Sequence, residues 1–156
     1  MKFATLTLLL LLSGCVKDFR PISLSEAADA ATLDYIELAQ RTAVATLLSC
    51  NTFKEQYPAS YARILETNDT FRLILSVQEP DDICASAYQG HIFLYPKTWK
   101  FRAYGCYRGR VEKVIAHEFM HLLKMPKHGN YANYRDYELM DPIESMVRAC
   151  FDDRGM

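Results

Sequence analysis

Residues 111–123, VEKVIAHEFMHLL, hold the side chains of this chain best suited to chemistry. Within them His117-Glu118-Phe119-Met120-His121 forms an H-E-x-x-H motif. On a helix, positions i and i+4 are about one turn apart and project from one face. Two imidazoles so placed can hold one Zn²⁺, each at about 2.0–2.1 Å. Glu118 lies beside them, within reach of a proton from water at the metal, as a general base requires. The plainer alternative is a chance match on a surface helix. Against it, three of the four histidines, His117, His121 and His128, cluster just here.

The surrounding pattern explains how such a pair would be positioned. Val111, Val114, Ile115, Phe119, Leu122 and Leu123 recur at helical spacing and make one apolar face, with the two histidines off it. The helix is expected to bury one side and present ligands to a cleft. Ahead of it, residues 71–77 and 90–95 read as strands, the second stopped by Pro96. His91 opens that strand as a structural or substrate-facing residue, not a ligand. Trp99, Phe101, Tyr104 and Tyr107 are expected to fill a core or line a cleft. Further upstream, Ser23-x-x-Glu26 has the form of a capping box. It predicts a helix reaching Ser49, with Ala27, Ala31, Tyr35, Leu38 and Thr42 on the side packed against the sheet. Residues 61–66 are open between a helical turn and a short strand. After the motif the helix should end near Lys124, followed by a tyrosine-rich loop. Asp141-Pro142 then reads as an N-cap with proline at the first helical position, opening a last helix with Ile143, Met146, Val147 and Cys150 on one side.

The bulk properties narrow the class. A chain of 156 residues, half hydrophobic and 24% charged, suits one small globular domain, here placed at 23–152. A net charge of −1 without basic clusters gives no footprint for nucleic acid. Residues 1–14 have the architecture of a signal peptide: Lys2, then an apolar run from Phe3 to Leu12, too short to span a bilayer, then Ser13-Gly14-Cys15. This resembles the lipobox of bacterial lipoproteins. The resemblance implies that Cys15 is lipidated, that 15–22 is a tether, and that acyl chains anchor the protein to the membrane. Val16 after the cysteine implies outer-membrane sorting, facing the periplasm. The remaining cysteines, Cys50, Cys84, Cys106 and Cys150, are an even set in an oxidising compartment and read as two disulfides. Three connectivities are open. Cys84–Cys106, bracing the approach to the active helix, and Cys50–Cys150, tying the first long helix to the last, are favoured. Zinc ligation by cysteine is disfavoured, because no C-x-x-C spacing is present.

From about residue 90 to 151 the chain resembles the metzincin clan of zinc peptidases, including the matrixins. Their signature runs H-E-x-x-H-x-x-G-x-x-H, then a methionine turn beneath the metal, then a C-terminal helix. His117, Glu118 and His121 match directly, and Met140 in Leu139-Met140-Asp141-Pro142 matches the Met-turn. Two positions depart. Lys124 stands where the clan has its turning glycine, so it must adopt a left-handed conformation or the turn must be built differently. His128 lies one residue beyond the clan's third histidine; one extra residue in the turn would accommodate both departures. Glu144 on the last helix is the rival third ligand, as in thermolysin-like enzymes.

The resemblance implies an α+β, metzincin-like fold: a small mixed sheet backed by a long N-terminal helix, the H-E-x-x-H helix, a Met-turn and a C-terminal helix. It implies a zinc metallopeptidase, expected as a monomer, that hydrolyses peptide bonds in the bacterial envelope. Glu118 would be its base and His117, His121 and His128 its ligands. Strand 91–95 would be the rim along which peptide substrate pairs. Tyr137 is a candidate to steady an oxyanion. The competing expectation is a lipid-anchored zinc-binding envelope module without turnover.

Overall fold

Helix α1 (Ala30–Leu48) starts where the Asp29 side chain turns back to accept the N–H of Thr32 at 2.7 Å, satisfying one of the orphan donors of a helix start. The structure, a computed structural model, describes residues 28–66, 71–78, 83–103, 105–125, 128–129 and 140–152. The Ser23–Glu26 capping box, Cys15 and Tyr137 lie outside these residues.

The buried stripe of α1 is Ile36, Ala39, Ala43 and Leu47. It is rotated from the expected one, and Leu38, placed on that face, is exposed. The helix packs on the H-E-x-x-H helix rather than on the sheet. Two alanines in the stripe let the helices approach closely, since interaxial distance follows side-chain size. Two short helices follow, α2 (Asn51–Gln56) and α3 (Pro58–Glu66), the second beginning at its proline, whose missing N–H costs nothing in a first turn.

The sheet has three strands, β1 (Arg72–Leu75), β2 (Ala85–Tyr88) and β3 (His91–Leu94), in the order β1-β3-β2. β1 runs parallel to β3, and β2 antiparallel to it. β2, Ala-Ser-Ala-Tyr, carries no β-branched residue and little intrinsic strand preference. It forms because Gln89 (φ 47°) and Gly90 (φ 79°) close a two-residue hairpin with both central residues left-handed, the type I′ requirement. The hairpin corrects the expected rim. β3 is paired on both sides, so it has no free edge, and the outer strands are β1 and β2, the latter facing the H-E-x-x-H helix.

After β3 come α4 (Pro96–Trp99), a 3-10 turn at Tyr107–Gly109, α5 (Val111–Leu122) and α6 (Pro142–Phe151). Helix α5 is the hub, packed by α1, β2 and α6. Nearly every residue from Val111 to Met120 is buried, Lys113, His117 and Glu118 included, so it is enclosed rather than one-sided. Lys113 reaches Asp152 at the end of α6. The favoured disulfide pairing is the one observed: Cys50–Cys150 joins the segment after α1 to α6 across 100 residues, and Cys84–Cys106 joins the start of β2 to the 3-10 turn. No helix among the described residues is long and apolar enough to cross a membrane.

The end of α5 decides where the chain goes next. Lys124 is left-handed (φ 62°), its N–H donates to the His121 carbonyl at 3.1 Å, and the N–H of Met125 reaches back to the Met120 carbonyl at 3.2 Å. This is a Schellman motif with Lys124 at the glycine position and the buried Met125 closing the turn. Of the two routes open to a lysine there, the chain takes the strained one. A left-handed side-chain-bearing residue costs about 1–2 kcal/mol, offset in glycine by about 0.5–1 kcal/mol of extra chain entropy. Lys124→Gly is therefore expected to raise stability by roughly 0.5–1 kcal/mol, read as a higher urea midpoint with an unchanged slope; a lower midpoint would show that Lys124 makes compensating contacts.

Candidate metal centre

His117 and His121 are carried by α5 one turn apart, and His128 is returned to them by the reversal at Lys124. Their Nε2 atoms converge: 3.3 Å from His117 to His121, 3.1 Å from His117 to His128, and 2.9 Å from His121 to His128. Donors at about 2.0–2.1 Å from a tetrahedral ion stand roughly 3.3–3.4 Å apart. The triad is thus within a few tenths of an ångström of the spacing such an ion needs, and the three side chains could hold a metal ion.

The outer nitrogens explain why the inner ones face each other. His128 Nδ1 lies 2.7 Å from Asp141 Oδ2, and His117 Nδ1 lies 2.6 Å from the Tyr107 hydroxyl and 3.0 Å from Glu144 Oε1. Tyr107 donates its own proton to Glu144, so it must accept from His117. A carboxylate can only accept. Both Nδ1 atoms therefore carry the hydrogens, and both Nε2 atoms present lone pairs to the centre of the triad. Lone pairs held this close repel unless a cation lies between them, which is the chemical reason that the donor set fits a metal ion.

Each holding residue is itself held. Asp141 is 0% exposed; its Oδ1 caps α6 by accepting the N–H groups of Ile143 at 3.0 Å and Glu144 at 3.2 Å, while Oδ2 grips His128. It is both the helix cap expected from the sequence and the orienting group of a ligand. Tyr107 sits on three consecutive left-handed residues, Tyr107 (φ 50°), Arg108 (φ 56°) and Gly109 (φ 78°). Cys106, fastened to Cys84, holds the near end of that turn. Gly109 allows it, because a Cβ there would stand 2.8 Å from the Arg102 carbonyl.

Two expected roles are corrected. Glu144 is not beside the inner nitrogens; it sits at the outer nitrogen of His117. Met140 is 66% exposed and lines no part of the pocket, so it does not underlie the triad. Asp141, the next residue, is fully buried as the N-cap of α6. Tyr107 had no sequence signal beyond its place among aromatics, because its role depends on a turn that only the disulfide and Gly109 explain. His91 bonds the Gln89 carbonyl at 2.9 Å and takes no part in the triad.

The triad opens into a cavity of about 1020 Å³ between β2 and α5, lined by Ala85, Ser86 and Ala87 on one side and by Glu118, Lys124 and Met125 on the other. Burial lifts the Glu118 carboxyl to about 7, opposed by the nearby His117 and reinforced by Glu144. Burial, then the neighbouring His117 and His128, hold His121 down at about 4, so its ring is neutral and able to ligate near neutrality. Compared with protein-family models, curated proteins and solved structures, the chain matches none of them.

Two outcomes follow from these contacts. The folded value of Glu118 lies above its ordinary 4.5, so the folded, metal-free protein binds that proton more tightly than the unfolded chain. Metal-free stability contributed by this group is lost as pH rises from about 4.5 through about 7. In chelator, Glu118→Gln should be more stable than wild type at pH 8 by on the order of 1–3 kcal/mol, with the gap closing toward pH 4; equal unfolding midpoints at pH 8 would refute the reading. Asp141→Asn should keep the α6 cap but lose the carboxylate on His128. Affinity for a divalent ion, followed by titration calorimetry, should fall about 10- to 100-fold with little loss of helix content by circular dichroism.

Proposed function

We propose that this chain is a small zinc metallopeptidase of metzincin-like design, lipid-anchored through Cys15 at the bacterial outer membrane and acting on peptides in the periplasm. The observation that carries the reading is the meeting of three convergent imidazole nitrogens with one buried glutamate in a single cavity. A purely structural metal would need no such base. His117, His121 and His128 would hold the ion. Once bound, zinc supplies Lewis acidity toward a carbonyl oxygen and eases the ionisation of water.

The remaining steps belong to the chain's own residues. Glu118, poised by burial near neutrality, takes a proton from the attacking water and returns it to the leaving amine, so one carboxylate serves as base and then acid. Tyr107 with Glu144, and Asp141, fix the ring planes of His117 and His128. The outer strand β2 lines the cavity, and an extended peptide can add to it through main-chain hydrogen bonds. That edge replaces β3 in the role first expected of it. Glu118 also separates this reading from a zinc-binding module without turnover, which has no use for a proton acceptor in the cavity.

Zinc content and peptide cleavage test it together. The wild type should bind about one zinc per chain, His128→Ala should lose most of it, and Glu118→Gln should keep the metal while peptide cleavage drops at least about 100-fold. Wild type without zinc, or full cleavage by Glu118→Gln, would sink the proposal. Zinc bound but no cleavage of any peptide by the wild type would leave the binding module.

A further inference from the structure

Lys124 occupies a place where a side chain is a burden. At φ 62° it sits in the Schellman position that glycine fills at no steric cost, and strain of this kind persists where the surrounding structure enforces it, often at sites of function. The residue is three positions beyond His121 and lines the same cavity as the three histidines and Glu118. Among the described residues it is the one Lys or Arg on that wall. It makes no ion pair with any described residue. The wall opposite is built from Ala85, Ser86 and Ala87, whose small side chains leave room beside the cation. A peptide laid along β2 would turn alternate side chains into that space.

We propose that Lys124 is a specificity residue: it reads a carboxylate of the peptide in the cavity, so that this protein takes acidic peptides in preference to neutral or basic ones. The inference rests on the peptidase reading for its substrate class, but not for its test. The carboxylate has two possible sources, an Asp or Glu side chain or the peptide's own C-terminus. The extended reach of a lysine and the fixed left-handed backbone beneath it suit either, whereas a glycine at this position would offer neither charge nor reach.

The experiment uses the full-length, zinc-loaded protein and hexapeptides in which one Glu, Gln or Lys is walked along a neutral frame, each with a free or an amidated C-terminus. Binding is measured on the Glu118→Gln background, which separates recognition from turnover, and kcat/KM on the wild type. At one position Glu should be favoured over Gln by about three- to tenfold, the range for a partly exposed charged hydrogen bond; a C-terminal source would show instead as the same preference for free over amidated ends. Lys124→Gln and Lys124→Gly should erase the preference, and Lys124→Glu should reverse it toward the Lys peptide. Loss of selectivity in Lys124→Gly, the variant expected to be more stable, could not be attributed to misfolding. Selectivity unchanged across all three variants, or no peptide binding to any form, would overturn the proposal. Selective binding without cleavage of any peptide would uphold Lys124 and sink the peptidase reading alone.

Discussion

Three imidazole nitrogens that converge to 2.9–3.3 Å of one another, those of His117 and His128 with their lone pairs turned inward, are the constraint on which the rest of this structure turns. The facing lone pairs of His117 and His128, 3.1 Å apart, repel, and either ring would gain by rotating away or taking up a proton. The arrangement persists because the outer nitrogens of His117 and His128 are committed to Glu144 with Tyr107 and to Asp141. Those partners are in turn committed to helix α6 and to a stapled turn. The convergence of the three rings is thus a consequence of contacts made on the far side of the rings, and a bound cation would relieve the near side.

Strain accumulates in the same neighbourhood. Tyr107, Arg108 and Lys124 are left-handed without being glycine, and each needs surrounding structure to hold it there. The Cys84–Cys106 bond anchors the turn that carries Tyr107 and the start of the strand that forms the opposite wall. The Schellman hydrogen bonds and the buried Met125 hold Lys124. The Cys50–Cys150 bond closes a 100-residue span and fastens α6, with its two carboxylates, to the helical layer behind α5. A loop that long is the case in which a cross-link removes most disorder from the unfolded chain, on the chain-entropy account. Stability and site geometry are therefore supplied by the same two links.

Burial of charge follows the same logic. Glu118 lies in a helix most of whose residues are buried, and its carboxylate pays for that in a raised affinity for the proton. His121, only partly buried, resists protonation through that burial and its neighbours His117 and His128. Both groups, an acid and a base within one turn of helix, are thereby held toward their neutral forms.

By itself the sequence determined what depends on short-range periodicity: the H-E-x-x-H helix and the same-face placement of His117 and His121, the Asp141 cap with Pro142 behind it, the strands around residues 72–75 and 91–94, and an even set of cysteines with a favoured pairing. Helical and strand periods are local geometry, so residues a few positions apart reveal them. Tertiary structure alone decided what depends on the path of the chain. It brought His128, and not Glu144, to the inner nitrogens; it gave Glu144 and Tyr107 to the back of His117; and it left Met140 exposed beside a buried Asp141. It also made a strand of Ala85–Tyr88, whose residues have little preference for one, and so covered the edge of β3 with β2. These outcomes are set by pairings between segments tens of residues apart, by a left-handed lysine and by a disulfide across the cavity, none of which leaves a periodic trace in the order of the amino acids.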